Sequence, residues 1–377
     1  MDNLSRLQNF PVHGGDIAGF AQKAGLPVEA VIDFSSNINP LGLPLSAKRA
    51  YDEAVSQLTV YPDPRTEELR QIIAQEHHLD SDQVIAGNGS IALIALAIRS
   101  WKPKRALLVE PCFNEYRRLL HLNDVIVTSM HLQEEDDFRF PFAAIMQQLK
   151  EVDLVVLGHP NNPTGTALSP EDMQRLMDAA DRRGICVILD EAFVDWCSSY
   201  SMIPYLSPRG STVIIRSLTK FYALAGIRIG YACASRDMIA RMRRYQETWS
   251  CNGVAQQLGV AALSDREFRE ATLAWFQQES AFMREELSRI PSIKVFFGLA
   301  NFFLCKVRDP DQLKPFWMAM QKSGLYLRAG DDFARLGSGF FRVALRARED
   351  NRILLQKWKE IGSTVTVDAG QGRAFWP

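Results

Sequence analysis

Short, almost unbroken apolar runs recur through the middle of the chain: RALLVE (105–110), DVIVTSM (124–130), DLVVLG (153–158), CVILDEAF (186–193) and TVIIRS (212–217). Runs of this length without polar alternation predict strands buried on both faces. Amphipathic segments separate them. SPEDMQRLMDAADRRG (169–184) predicts a helix, with Ser169 as N-cap, Pro170 in the first turn and Gly184 at the end. Alternation of strand and helix predicts an α/β fold, with a mostly parallel sheet between layers of helices. A long helical region over 236–290 gives way to IKVFFGLANFFLCKV (293–307), GLYLRAG (324–330) and FFRVALR (340–346), read as strands of a smaller α+β domain. The stretch to about residue 45 is rich in Gly, Pro and Asn, and SSNINPLGLP (35–44) reads as loop. The expected organisation is an N-terminal arm over 1–45, a large domain over 46–258 and a small C-terminal domain over 259–377. GQGRAFWP (370–377) is expected to be a mobile tail.

Composition narrows the function classes. The chain has 377 residues and a formal net charge of −1, which gives no general attraction for polyanions. The basic run RMRRYQ (241–246) reads as a solvated helix face. Six scattered cysteines form no CxxC pair and no zinc-ligand spacing, so reduced, mostly buried thiols are expected. There is no signal-like opening and no apolar run of membrane-spanning length. A soluble cytoplasmic protein with no nucleic-acid or membrane partner is the expectation.

Candidate chemistry falls at the carboxyl ends of the predicted strands, where ligands collect in open α/β sheets. AGNGSIALIALAI (86–98) opens an apolar helix with a Gly-Asn-Gly-Ser turn, whose N–H groups suit a phosphate. A tight turn into a buried helix accounts for it equally well. HPNNPTG (159–165) makes a rigid loop carrying side-chain amides. In LDEAF (189–193), Asp190 follows an apolar strand directly, and an ionised carboxylate at that depth needs a cationic partner. In SLTK (217–220), Lys220 follows another strand, with Arg228 eight residues on. A buried lysine is costly unless it is paired or chemically used. Pyridoxal phosphate meets all these demands. Its aldehyde needs an amine, its ring nitrogen a carboxylate, and its phosphate hydroxyls, amides and an arginine.

The linked motifs NNPTG, DEAF and SLTK with Arg228 resemble the fold type I pyridoxal-phosphate enzymes of the class I/II aminotransferase superfamily. The resemblance implies that fold, and it implies roles. Lys220 forms the Schiff base with the cofactor and shuttles the proton. Asp190 pairs with the pyridinium nitrogen, and Asn162 bonds the phenolic oxygen. Asn88, Gly89 and Ser90, with Ser217, Thr219 and Arg228, bind the phosphate. Tyr116 in EPCFNEY stacks on the ring, with Phe113 as the alternative. Tyr61 in YPDP reaches the phosphate of a neighbouring subunit, which implies a homodimer with shared active sites.

HGGDIAGF (13–20) followed by NINPLG resembles, within that superfamily, the L-threonine-O-3-phosphate decarboxylases of cobalamin synthesis. Histidinol-phosphate aminotransferases, the near relatives, generally lack the His-Gly-Gly loop. The resemblance implies that His13, Gly14 and Gly15 contact the substrate phosphate and that Arg342 in FFRVALR holds the carboxylate. Arg328 and Arg346 are candidates for the phosphate end. Phe193, where transaminating relatives usually carry Tyr, points the same way. Three positions depart from the pattern: Asp16 in place of Asn, Ala92 in place of Glu, and the acid pair Asp331–Asp332 beside the substrate arginines. The implied reaction is decarboxylation of phosphothreonine or phosphoserine. The alternative is an aminotransferase acting on histidinol phosphate or a similar phosphorylated amine.

Overall fold

The structure, a computed structural model, describes residues 13–368. The GQGRAFWP segment lies outside the described residues. The chain divides into two compact units, one of Ile38–Ala274 with Gly298–Ala300, the other of the described parts of Val12–Asn37 and Asn301–Pro377 with Trp275–Phe297.

The first unit is built on a seven-stranded sheet. Its strands are β1 (Val84–Gly87), β2 (Arg105–Glu110), β3 (Ile126–His131), β4 (Leu154–Gly158), β5 (Cys186–Asp190), β6 (Val213–Ser217) and β7 (Gly230–Ala234), in the order β1-β7-β6-β5-β4-β2-β3. The pairs from β6 through β5, β4 and β2 to β3 are parallel. Strand β7 runs antiparallel between β6 and β1. The apolar runs fall on β2 to β6 as expected, and β4, β5 and β6 are buried at every position. The helix Gly89–Trp101 supplies Leu93, Ile94, Ala97 and Ile98 to the core on this sheet. The helix Pro170–Asp181 starts as its sequence predicts, with Ser169 Oγ accepting from the Asp172 N–H. The long helical region over 236–290 is instead three helices, Arg236–Arg243, Gly253–Ser264 and Arg266–Ser288. The second begins at Asn252, whose side chain accepts from the Ala255 N–H, an N-cap that stops a helix from running through.

The second unit carries a four-stranded antiparallel sheet of β8 (Ile293–Phe296), β9 (Phe302–Val307), β10 (Arg328–Ala329) and β11 (Phe340–Ala344), in the order β10-β11-β9-β8. A parallel pairing of Ile32–Asp33 with Leu325–Tyr326 ties the segment after the His-Gly-Gly loop into this unit. Its core gathers Phe34, Phe303, Phe316, Phe341 and Trp358.

Among the described residues no helix is long and apolar enough to cross a membrane, and no His/Cys/Asp/Glu group is arranged to hold a metal ion. All six cysteines are free thiols; five are buried, and Cys197 is partly so.

Candidate active site

Parallel strands bring Gly87, Glu110, Gly158, Asp190 and Ser217 to one edge of the first unit's sheet, because each is the last residue of its strand. Asp190 is buried there, and both of its oxygens are engaged. Oδ2 accepts from the Tyr116 hydroxyl at 2.7 Å and Oδ1 from the Ala192 N–H at 3.0 Å. Burial pushes its carboxyl above the usual range, opposed by the Tyr116 hydrogen bond, then the Ala192 N–H, then the charge of Lys220. Its register partner is Gly158, where a Cβ would lie 3.3 Å from the Tyr116 hydroxyl and 3.2 Å from Asn161 Oδ1. Tyr116 therefore reaches the carboxylate with its hydroxyl, while its ring meets Phe113 edge-on at 5.6 Å. Phe113 is the less buried of the two.

Lys220 lies in the turn after β6. The expectation of a buried lysine and arginine is corrected here: Lys220 is half-buried and Arg228 is exposed, so neither bears the full cost of a buried charge. The turn is held by Asn39 of the NINPLG segment, to which the sequence assigns no role. Its N–H donates to the Lys220 carbonyl at 3.0 Å, and Nδ2 donates to the Phe221 carbonyl at 2.8 Å and to Thr272 Oγ1 at 2.9 Å. In the NNPTG loop the two asparagines divide the work. Asn161 is buried and spends Nδ2 on the Pro111 carbonyl and Thr164 Oγ1, both at 2.9 Å, and so builds the loop. Asn162 is half-buried beside it.

A set of donors suited to a phosphate forms around the start of the helix Gly89–Trp101. Gly89 has φ +80°, and a Cβ on it would lie 2.6 Å from Arg228 Nη2. Gly230 pairs in register with both Gly87 and Ser217, and its own Cβ would lie 3.1 Å from the Ser90 nitrogen. Ser217 Oγ and Thr219 Oγ1 are hydrogen-bonded at 2.8 Å. A guanidinium, a helix N-terminus and two hydroxyls thus meet where only glycines leave room, a donor set that fits a phosphate dianion. Asn88 is the exposed N-cap residue, and Ala92 is exposed on the helix. With Lys220 for an aldehyde and Asp190 for a ring nitrogen, these residues fit pyridoxal phosphate.

Behind Asp190 lies a buried ionic network that the motifs do not reveal. Glu191 accepts from the Met202 N–H at 2.6 Å, the Ser201 hydroxyl at 2.9 Å and Arg216 Nη1 at 3.2 Å, and Arg216 also pairs with Asp195. Burial pushes Glu191 up to about 7, against the charge of Arg216. Tyr61 is 77% exposed and stacks on Trp249 at 4.6 Å, with Leu58 and Val60 exposed beside it.

The second unit holds the remaining candidates. Gly14 sits against Ser35, where a Cβ would lie 2.4 Å from the carbonyl oxygen, and Gly15, at φ +93°, donates its N–H to Ser35 Oγ at 2.9 Å. Asp33 fixes Ser35 by accepting from its N–H and hydroxyl at 2.8 and 2.6 Å. Arg342 Nη2 donates to the Ser35 carbonyl at 2.6 Å. Arg328 is the register partner of Arg342 across β10–β11, and both guanidinium groups lie over the Phe333 ring, at 5.4 and 5.9 Å. Burial, then the like charge of Arg328, pulls Arg342 down to about 9, the mark of a cation pair that an anion would relieve. Arg346 is engaged elsewhere, with Nε 3.1 Å from Asp350 Oδ2. His13 is exposed. Asp16 turns its carboxylate to the helix Ile17–Ala24, which it caps through the Gly19 N–H at 3.0 Å.

Residues 29–357 match the model of the family described as aminotransferase class I and II. A threonine-phosphate decarboxylase from Salmonella typhimurium is 34% identical over 353 residues, covering 93% of this chain and 96% of that protein. A histidinol-phosphate aminotransferase from Roseiflexus castenholzii is 29% identical, covering 90% and 92%. The crystal structure of the histidinol-phosphate aminotransferase from Clostridium acetobutylicum superposes with a TM-score of 0.83 at 30% identity, over 89% of this chain and all of that one. The chain belongs to the aminotransferase class I and II family, with the fold type I architecture that its sheet order displays.

Proposed function

We propose that this chain is a pyridoxal-phosphate-dependent carbon–carbon lyase. Its substrate is L-threonine O-3-phosphate or L-serine O-phosphate, and its product is the amino-alcohol phosphate used in cobalamin biosynthesis. The observation that carries the reading is Ser35. The His-Gly-Gly turn, which sets the decarboxylases apart, packs on it and Arg342 bonds its carbonyl, so that turn and the arginine read as the carboxylate holder are built onto one residue. The 34% identity to the Salmonella decarboxylase over 93% of the chain supports the same reading.

When bound, the cofactor supplies an aldehyde for the substrate amine and a protonated ring that withdraws the electron pair of the breaking bond. Asp190, whose ionised form Tyr116 and the Ala192 N–H favour, would hold the proton on the ring nitrogen. Gly89, Ser90, Ser217, Thr219 and Arg228 hold the phosphate, and Asn162 the phenolic oxygen. Phe113 stacks on the ring, since the Tyr116 hydroxyl is committed to Asp190. Arg342 would hold the substrate carboxylate, and the orientation it imposes at Cα would select which bond breaks. Arg328 and the His13–Gly15 turn take the phosphate end. The Cα–carboxyl bond breaks, CO2 leaves, and Lys220 Nζ delivers a proton to Cα.

The protein acts as a cytoplasmic homodimer. The exposed Tyr61, Trp249, Leu58 and Val60 form the apolar patch that a second copy covers, with Tyr61 reaching the partner's cofactor phosphate. Sedimentation is expected to show a dimer, and mixing a Tyr61→Ala chain with a Lys220→Ala chain should restore part of the lost activity if sites are shared.

The deciding assay is CO2 release from cofactor-loaded protein given phosphothreonine or phosphoserine with no keto acid. Catalytic release establishes the lyase and ranks the substrates. Amino transfer from histidinol phosphate to 2-oxoglutarate, without CO2, replaces the reading with an aminotransferase, the activity named for the 29% identical relative.

A further inference from the structure

We propose that Asp332 is a displaceable internal counter-ion: it occupies Arg328 until an incoming anion takes its place, and so sets a threshold that any anion arriving at Arg328 must overcome. The proposal rests on the reading that Arg328 and Arg342 receive the substrate's acid groups.

The geometry is asymmetric. Arg328 and Arg342 stand directly opposite one another in an antiparallel pair, the position where like charges repel most strongly in a sheet. Both are buried, and both lie over Phe333, so little water screens them. Arg342 is given a neutral acceptor, the Ser35 carbonyl. Arg328 is given a full negative charge, with Nη1 3.1 Å from Asp332 Oδ2. Asp332 is half-buried in the short turn Gly330–Asp332 that follows β10, and it also feels the charge of His13. Its neighbour Asp331 is exposed.

A carboxylate and a phosphate compete for one guanidinium fork. An ion with a single anionic group, such as inorganic phosphate, must displace Asp332 for the sake of Arg328 alone. A ligand that carries a carboxylate as well also gains a contact with Arg342, which keeps its Nη2 on the Ser35 carbonyl. Displacing Asp332 costs both ligands the same at Arg328, and the amino-acid phosphate offsets that cost with its second contact at Arg342.

The test is calorimetric titration of cofactor-loaded, full-length protein with inorganic phosphate, comparing Asp332→Asn with Asp331→Asn. Loading occupies the cofactor's own phosphate site. Asp332→Asn should tighten phosphate binding roughly tenfold, the size expected for one charge-assisted contact. Asp331→Asn, with the same change in net charge, should shift it less than about twofold. The gain should vanish in Arg328→Gln/Asp332→Asn. Equal effects of the two single variants, no effect of Asp332→Asn, or a gain that survives loss of Arg328 would each overturn the proposal. Tighter phosphate binding by Asp332→Asn, in a protein that releases no CO2 from phosphothreonine, would uphold the counter-ion and sink the lyase reading alone.

Discussion

The Tyr116 hydroxyl donates to Asp190 Oδ2 across 2.7 Å, with both residues buried. This bond favours the ionised carboxylate and opposes the burial that pushes its carboxyl above the usual range. Tyr116→Phe leaves one buried carboxylate oxygen without its hydroxyl donor, at a cost of about 1–3 kcal/mol. The expected outcome is a less stable apoprotein of unchanged fold and weaker cofactor binding. A double-mutant cycle with Asp190→Asn should give a coupling energy of about 1 kcal/mol or more. Additive effects would show that the bond does not tune Asp190.

Gly89 should tolerate no side chain. Its φ of +80° is strained for any L-residue, and a Cβ would meet Arg228 Nη2 at 2.6 Å. Gly89→Ala is expected to destabilise the chain by about 1–2 kcal/mol and to weaken pyridoxal phosphate binding by roughly tenfold or more, as Arg228 is pushed off the phosphate position. Equilibrium dialysis against the cofactor reads the second effect. Unaltered affinity would remove Gly89 and Arg228 from the phosphate site.

Much of this is legible in the sequence, and for identifiable reasons. Strands β2, β4, β5 and β6 are buried on both faces and so read as apolar runs, whereas β3, at the sheet edge, is only partly buried although its sequence predicts a strand buried on both faces. VIAG (84–87) and GYACA (230–234) do not read as strands, because their small residues carry no such run. The site motifs are contiguous and sit at strand ends, so NNPTG, DEAF and SLTK can be placed on strand-end loops from the chain alone. What a sequence does not reveal is contact at long range. Asn39 bonds a carbonyl 182 positions away, and Ser35 meets Arg342 across 307. Nor does a sequence say which end of an aromatic side chain is used, so the hydroxyl contact of Tyr116 with Asp190 is found only in the fold. Arg346 groups with Arg342 by nearness in the chain, yet one further turn of chain hands it to Asp350.

Arg342 should not be replaceable by lysine. Its Nη2 is fixed on the Ser35 carbonyl and its face lies over Phe302 and Phe333, which leaves a planar fork to meet a carboxylate. Both Arg342→Ala and Arg342→Lys are expected to raise the substrate KM by about 100-fold, the range for losing a buried charge-assisted pair. Cofactor affinity should be unchanged, since the cofactor's ligands lie in the first unit. A lysine variant with normal KM would show that only positive charge is required.

Glu191 gives the chain a pH-dependent stability of unusual sign. Burial holds it near 7 in the folded protein, against an ordinary 4.5. Between those values the folded state binds more protons than the unfolded state, so stability falls as pH rises from about 4.5 to about 7 and is level above. A tenfold change in proton affinity is worth ~1.4 kcal/mol, so the loss across that window is on the order of 3 kcal/mol at most. Glu191→Gln keeps the shape and removes the titration. The melting temperature of the natural protein minus that of Glu191→Gln should therefore be greatest at and below about pH 4.5 and shrink towards about pH 7.5. Parallel curves would mean that Arg216 keeps Glu191 ionised throughout, and that the charge next to Asp190 is constant across the working pH range.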